Sequence, residues 1–321
     1  MYSNRISTAG RYDLLTSDMK RAEANYQRLT AQLASGKKIV NITDDPIGAV
    51  NVINTQKQLG QLETFNKNIQ MGMTEIQNMD DLLELTGSYL NTAWNKAVVA
   101  NNQVYNDQSL EALKTEIDEI IKTVVDLANT EFNDSFVFAG ANTKLAPYTI
   151  DDDGNIIYRG TPQSQPYERK YEVADGVFET INTTGDKVFG YYNSETDNAG
   201  LLGTLKKLSN GIQQVLDGHA AEDETMAQEG YALMNSTLDG FKSALDTITA
   251  EQTKYGGVYN RLQMSASTLE TNSMNLTSYL SELQEIDYAS AASAWMQAQY
   301  AYQASLQVAS SAMNMSLLNY M

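Results

Sequence analysis

The stretch LASGKKIVNITDDPIGAV, residues 33–50, decides how this chain is read. An apolar stripe runs into it, stops, and restarts on its far side. Upstream, Tyr12, Leu15, Met19, Ala22, Tyr26, Leu29 and Leu33 recur at alternating spacings of 3 and 4 residues. That is the seam of a helix packed lengthwise on a partner. Ser35-Gly36 ends the seam, because glycine accepts the left-handed backbone that closes many helices. Asp44-Asp45-Pro46 opens the next helix: Asp45 can cap the free amides, and Pro46 fits a first turn where its missing N–H would have had no partner. The stretch therefore reads as a joint between two helices.

The same periodicity continues downstream. Val52, Leu59, Leu62, Phe65, Ile69, Met73, Ile76 and Leu83 predict a second helix running to about residue 100, and Leu110, Leu113, Ile117, Ile120, Val124 and Leu127 a third. Leu201, Leu202, Leu205, Leu208, Ile212, Val215 and Leu216 predict a helix over 201–217. Tyr231, Leu233 or Met234, Leu238, Phe241, Leu245 and Ile248 predict another, and Tyr259, Leu262, Ala266, Leu269, Leu276, Leu280 and Leu283 a last long one, with Gly256-Gly257 breaking the two apart. Beyond Asp287 the chain is rich in alanine, nearly uncharged and apolar on more than one face, so it needs partners on several sides.

The centre differs. From Phe136 to about Tyr192, short β-branched runs alternate with Asp-Gly, Gly-Asn and Gly-Asp turns, which predicts a small antiparallel β domain. The expected fold is mainly α with that β domain inserted: an elongated rod of long antiparallel, coiled-coil helices in which the N- and C-terminal helices pair. The expected division is 1–43 with 284–321 as terminal coiled-coil helices, 44–135 with 220–283 as a helical bundle, 136–200 as the β-rich insertion, and 201–219 as the helix returning to the bundle.

Composition narrows the function. A net charge of −18 repels nucleic acid and anionic lipid. No run approaches the ~20 apolar residues that span a bilayer, so no membrane partner is expected. The absence of cysteine removes disulfides, thiolate metal sites and thiol nucleophiles. His219, the one histidine, lies in LDGHAAED and reads as a solvated loop residue without a second imidazole for a metal or relay. The segment YTIDDDGNIIYRG places Asp151, Asp153 and Asn155 like the start of a calcium loop, but Gly154 is misplaced and no terminal Glu follows, so a β-turn is expected. Asp44-Asp45 and Glu222-Asp223-Glu224 are formally acid/base pairs, and capping or solvated loop is the simpler role. No catalytic residue, cofactor or metal is predicted. The opening MYSNRISTAGRYDLL lacks a signal-peptide core, so export, if any, is expected to use no cleaved signal.

Several short motifs then agree in order. RIST (Arg5, Ile6, Ser7, Thr8), LASGKK (with Leu33, Ser35, Gly36) and Asp44-Asp45-Pro46 resemble the N-terminal part of the bacterial flagellin family. Flagellins usually carry an L-S-S-G element followed by D-D-A-A-G; the Pro46-Ile47-Gly48 variant here is more similar to the hook–filament junction branch of that family. FVFAGAN resembles the family's Phe-x-Gly element (Phe138, Gly140), YGGVYNRLQ its Gly-x-x-x-Asn-Arg-Leu element (Gly256, Asn260, Arg261, Leu262), and the end of the chain its Ser-Leu-Leu-x-Tyr ending (Leu317, Leu318). Residues 160–200 and the 201–217 helix match nothing in that pattern.

The resemblance implies a structural adaptor of the bacterial flagellum, not an enzyme. It would join the hook, through the first hook-associated protein, to the flagellin filament, and self-assemble as a ring. It implies extracellular location after unfolded export through the flagellar channel, with a cytoplasmic export chaperone as a further partner. The terminal helices would pair to line the tube. Lys37, Lys38, Asp44 and Asp45 would either touch neighbouring subunits or only cap and close the joint. The alternatives are flagellin itself, a helical needle-tip or adhesin-type secreted protein, and an enzyme carried on a helical scaffold.

Overall fold

A computed structural model of the chain describes residues 8–101, 106–162, 164, 167–193 and 200–318. The elements run α1 (Thr8–Ser35), α2 (Pro46–Ala100), α3 (Asp107–Ala128), β1 (Glu131–Phe132), β2 (Ser135–Phe136), β3 (Tyr148–Ile150), β4 (Ile156–Tyr158), β5 (Lys170–Ala174), β6 (Val177–Thr180), α4 (Gly185–Val188), α5 (Leu201–Ala220), α6 (Glu224–Gln284) and α7 (Tyr288–Leu318). The protein is thus mostly helical with a small antiparallel β region. It divides into two compact units, Met1–Glu63 with Glu270–Met321, and Thr64–Leu269.

In the first unit α1 pairs with α7. The predicted seam of α1 faces its partner: Leu15, Met19, Ala22, Tyr26 and Leu33 are half-buried and Leu29 is buried, whereas Leu14, off the seam, is exposed. Tyr12 carries no described side-chain position. The Tyr26 ring stacks on Tyr302 at 5.9 Å and tilts against Trp295 at the same distance. Trp295 Nε1 donates to Thr30 Oγ1 at 2.8 Å. Aromatic rings wedge the pair together, yet Leu29 and Ala298 are the only buried apolar residues of α1 and α7 among those described.

The second unit holds the main core. Along α2 the buried residues include Ile69, Ile76, Met79, Leu83, Thr86, Leu90, Ala93, Ala97 and Ala100, a heptad stripe. Along α6 they run from Ala227 and Gly230 through Met234, Thr237, Phe241, Ala244, Ile248, Glu251, Tyr255 and Val258 to Leu262, alternating 3 and 4 apart, with Leu269 beyond. This corrects the sequence reading in two ways. Gly256-Gly257 do not break the helix; α6 runs through them. Each glycine costs about 1 kcal/mol of helix propensity, which the buried Tyr255, Val258 and Leu262 around them offset. And Leu238 and Leu245 lie beside the seam, half-buried, while the smaller Thr237 and Ala244 occupy it.

α3 and α5 pack on each other, tied by Ser209 Oγ donating to Asp118 Oδ1 at 2.6 Å; one turn earlier on α3, Lys114 also pairs with Asp118 at 2.8 Å. Burial pushes the Asp118 carboxyl up, and these hydrogen bonds outweigh it, leaving it below its ordinary value. α5 meets α6 where Gly211 and Gly218 face Gly230 and Ala227; a Cβ on Gly230 would lie 2.8 Å from both the Gly211 carbonyl oxygen and the Val215 nitrogen. The helix backbones touch there because the glycines leave no side chain between them. Asp223 Oδ1 accepts from the amides of Thr225 and Met226 at 3.0 and 3.1 Å, so it caps α6. His219, read as a loop residue, sits in the last turn of α5 and pairs with Asp107 Oδ1 at 2.6 Å.

The β region is three separate two-stranded antiparallel sheets, β1–β2, β3–β4 and β5–β6. Local turn chemistry builds each. Asn133 and Asp134 both take positive φ, 50° and 56°, as a tight two-residue hairpin turn requires; this hairpin begins before the predicted start at Phe136. In β3–β4 the Asp151 carboxylate accepts from the Asn155 amide at 2.7 Å and its side-chain Nδ2 at 2.9 Å, with Gly154 at φ 76°. The turn closes on itself. β5–β6 closes at Asp175-Gly176.

Candidate functional site

The joint that opened the sequence reading lies wholly in the first unit. Gly36 takes φ 71°, and its N–H donates to the Gln32 carbonyl at 2.9 Å, closing α1. The chain then zips onto the α6–α7 connection. Lys38 N–H donates to Gln284 O at 2.7 Å, Ile286 N–H donates to Gly36 O at 3.2 Å, and Lys37 bridges Glu285. Lys38 Nζ donates to Glu282 O at 2.8 Å. On the α2 side, Asp45 Oδ1 accepts from Gly48 N–H at 2.9 Å, the N-cap expected of it. Asp44 Oδ2 accepts from Asn41 N–H at 3.0 Å and closes the loop. Gly48 completes the motif: a Cβ there would fall 2.3 Å from Asp45 Oδ2 and 2.6 Å from Ile39 Cδ1. Lys38, Asp44 and Asp45 thus each have a partner within the chain. Ser35 is exposed, and its hydroxyl donates to the Ala31 carbonyl at 2.8 Å. Pro46 opens α2.

The motif residues of the second unit also do internal work. Phe138 is fully buried, its ring edge-on to Phe189 at 4.9 Å. Its carbonyl accepts from Tyr158 Oη and Gly185 N–H, both at 2.9 Å. Gly140 takes φ 68°, and a Cβ there would lie 2.8 Å from Thr161 Cβ. Leu262 is buried, facing Gly72 of α2. Arg261 grips Glu179 of β6 with two hydrogen bonds, Nε to Oε1 and Nη2 to Oε2, both 2.8 Å. The guanidinium holds the Glu179 carboxyl below its ordinary value. Gly256 and Asn260 are exposed on α6. Arg5, Ile6 and Ser7 lie outside the described residues; Leu317 and Leu318 end α7, with no described side-chain position.

Sequence reasoning missed the polar ring that seats β5–β6. Glu75 of α2 accepts from Arg169 at 2.5 Å and from Tyr171 Oη at 3.0 Å, and Asn68 Nδ2 donates to Glu172 O at 2.9 Å. Glu251 pairs with Lys187 of α4 at 2.5 Å although only 4% of its side chain is exposed. Neighbouring Tyr255 donates to Asn182 O at 2.5 Å, and burial pushes its hydroxyl well above the ordinary range. The signal for Glu251 was present: it stands on the 3–4 seam of α6, where an acid has to find a cation.

No group of three or more His, Cys, Asp or Glu among the described residues is placed to hold a metal, and none of their helices is long and apolar enough to cross a membrane. What the surface does offer is uncovered apolar area. On α7, Met296, Tyr300, Leu306 and Val308 are exposed, Tyr300 by 66%. In the second unit a groove of about 460 Å³ lies between α2 and α6, with Leu90, Trp94, Val98, Leu238 and Leu245 on its walls and Trp94 45% exposed.

This arrangement of terminal helices, joint and hairpins matches known proteins. The family model of the bacterial flagellin N-terminal helical region covers residues 6–143, and that of the C-terminal helical region covers 238–321. Together they take in well over half of the chain. The chain belongs to the bacterial flagellin family. It is 24% identical over 318 residues to flagellar hook-associated protein 3 of Escherichia coli, and 26% identical over 329 residues to that of Salmonella typhimurium; each match covers 98% of both chains. The crystal structure of the flagellar junction protein FlgL from Legionella pneumophila shares the fold, with a TM-score of 0.58 at 14% identity over 74% of this chain and 100% of that one. As a flagellin-family member the chain is a structural motility protein of the flagellum, an extracellular appendage.

Proposed function

We propose that this protein joins the hook to the filament. One face of a ring of its copies meets the first hook-associated protein, and the other receives the first flagellin subunits. The observation that carries the reading is its end-to-end similarity to proteins named flagellar hook-associated protein 3. Uncovered apolar residues on α7 and in the Trp94 groove support it, because a contiguous apolar surface on a secreted structural protein calls for protein neighbours.

In this reading the two helices of residues 1–43 and 284–321 line the axial channel, 44–135 with 220–283 form the surrounding helical layer, and 136–200 face outward, with 201–219 leading back. Export is unfolded and needs a cytoplasmic chaperone to cover the apolar tail. No catalysis is involved. Arg5, Ile6, Ser7, Leu317 and Leu318 contribute to subunit contacts at the ends, and exposed Gly256 and Asn260 to contacts along α6.

Deleting the gene in the source bacterium tests this directly. Cells with hooks but no filaments, shedding flagellin into the medium, are the expected result. Loss of filaments with no released flagellin would make the chain the filament subunit instead. Normal flagella would overturn the proposal.

A further inference from the structure

The chain contains four Asp-Gly pairs, at 153–154, 175–176, 217–218 and 239–240. Such pairs share a slow side reaction, since glycine leaves the way open for its own nitrogen to attack the preceding side chain. The fold treats the four differently. Gly218 and Gly240 lie inside α5 and α6, where the backbone N–H belongs to the helical ladder. Gly154 N–H donates to the Asp151 carbonyl at 3.0 Å, inside a closed turn. Gly176 stands apart. It sits with Asp175 at the exposed tip of β5–β6, at φ 69°, and nothing approaches within 4 Å of where its Cβ would be. Its N–H donates to a side-chain carboxylate, Glu172 Oε1, at 3.2 Å.

We propose that Asp175 is a site of spontaneous backbone isomerisation, with Glu172 as the proton acceptor that starts it. In the protonated form of the Asp175 carboxyl, the Gly176 nitrogen attacks Cγ and an N–Cγ bond forms. The amide proton passes to the Glu172 carboxylate beside it, the Cγ–OH bond breaks, and that hydroxyl takes the proton and departs as water. The product is a five-membered succinimide. Water then adds to one of its two carbonyls: opening at the main-chain carbonyl leaves isoaspartate, and opening at the other restores aspartate. Nothing is oxidised or reduced, and water is the only co-reactant. A carboxylate already hydrogen-bonded to the leaving proton is the geometry of general-base assistance. Isoaspartate routes the main chain through the former side chain, one carbon longer. It would disturb the Ala174↔Val177 pairing at the tip while the strand ends stay anchored by Glu75, Asn68 and Arg261.

The experiment ages the full-length chain at neutral pH and physiological temperature, folded and in urea. Isoaspartate is located by electron-transfer fragmentation of peptides and counted by isoaspartyl methyltransferase labelling. The expected result is conversion at Asp175 several-fold faster than at Asp153, Asp217 and Asp239 in the folded chain, with the four rates converging in urea. Glu172→Gln, shown by circular dichroism to stay folded, should slow Asp175 several-fold in the folded chain only. A folded chain in which Asp175 converts no faster than the other three, or in which Glu172→Gln leaves its rate unchanged, would overturn the proposal.

Discussion

Two glycine-to-alanine substitutions on the same helix should act with opposite sign. Alanine in place of glycine within a helix contributes about 0.5–1 kcal/mol through backbone entropy. At Gly256 nothing lies within 4 Å of the added Cβ, so Gly256→Ala should raise stability by about that amount. At Gly230 the added Cβ would lie 2.7 Å from Val215 Cγ2 and 2.8 Å from two backbone atoms, Gly211 O and Val215 N. A side chain could rotate away, but those backbone atoms move only if α5 shifts as a body. Overpacking of this kind costs about 1–3 kcal/mol, and the shift also strains the contact of Gly218 with Ala227. Gly230→Ala should therefore be destabilising by up to about 2 kcal/mol once the entropic gain is subtracted. The chain has two tryptophans, Trp94 in the second unit and Trp295 in the first. In a Trp295→Phe background, tryptophan fluorescence follows the second unit alone. Urea midpoints at constant slope then give both changes. If Gly230→Ala raised the midpoint as Gly256→Ala does, the close α5–α6 crossing would not exist as described.

Further outcomes follow from particular contacts. Asp45→Ala removes the cap on Gly48 N–H and should cost about 1 kcal/mol, read from Trp295 fluorescence in a Trp94→Phe background; an unchanged midpoint would leave Asp45 free for contacts between subunits. Leu262→Ala empties a fully buried site and should cost about 2–5 kcal/mol, so a loss well under this range would mean the core relaxes around it. Glu179 has a carboxyl value depressed by Arg261, so its stabilisation of β5–β6 is fully present above the ordinary glutamate value of about 4.3 and is lost as pH falls through the depressed one. Hydrogen exchange at Tyr171–Thr180 should show that loss of protection on acidification, and Arg261→Ala should abolish the acid step. With Leu29 and Ala298 as the only buried apolar residues described in α1 and α7, limited proteolysis of dilute monomer should trim these helices first and spare the second unit; equal resistance throughout would contradict this.

Much of this protein is legible in its residues taken in order. The 3–4 spacing of apolar positions requires only the local geometry of a helix, so the paired face of α1, the length of α2 and the core face of α3 could be read directly. The stop at Gly36 and the start at Asp45-Pro46 are equally local, since each satisfies or frees a backbone amide within a few residues. The motif order from RIST at residues 5–8 to the Leu317-Leu318 ending carried the flagellin family, because it spans both ends and the middle of the chain. Other features depended on what meets what across long sequence separations. Gly256-Gly257 looked like a break, and the packing of Tyr255, Val258 and Leu262 keeps the helix whole. Glu251 stood on the α6 seam as a charge without an evident partner; only the fold brings Lys187 to it from 64 positions earlier. Arg261 carried the family motif, and tertiary structure put Glu179 in its reach. The turn residues foretold an antiparallel β region, and the fold splits it into three two-stranded hairpins, each closed by its own turn chemistry. Periodicity tells which face of an element is buried, and three-dimensional packing decides what buries it.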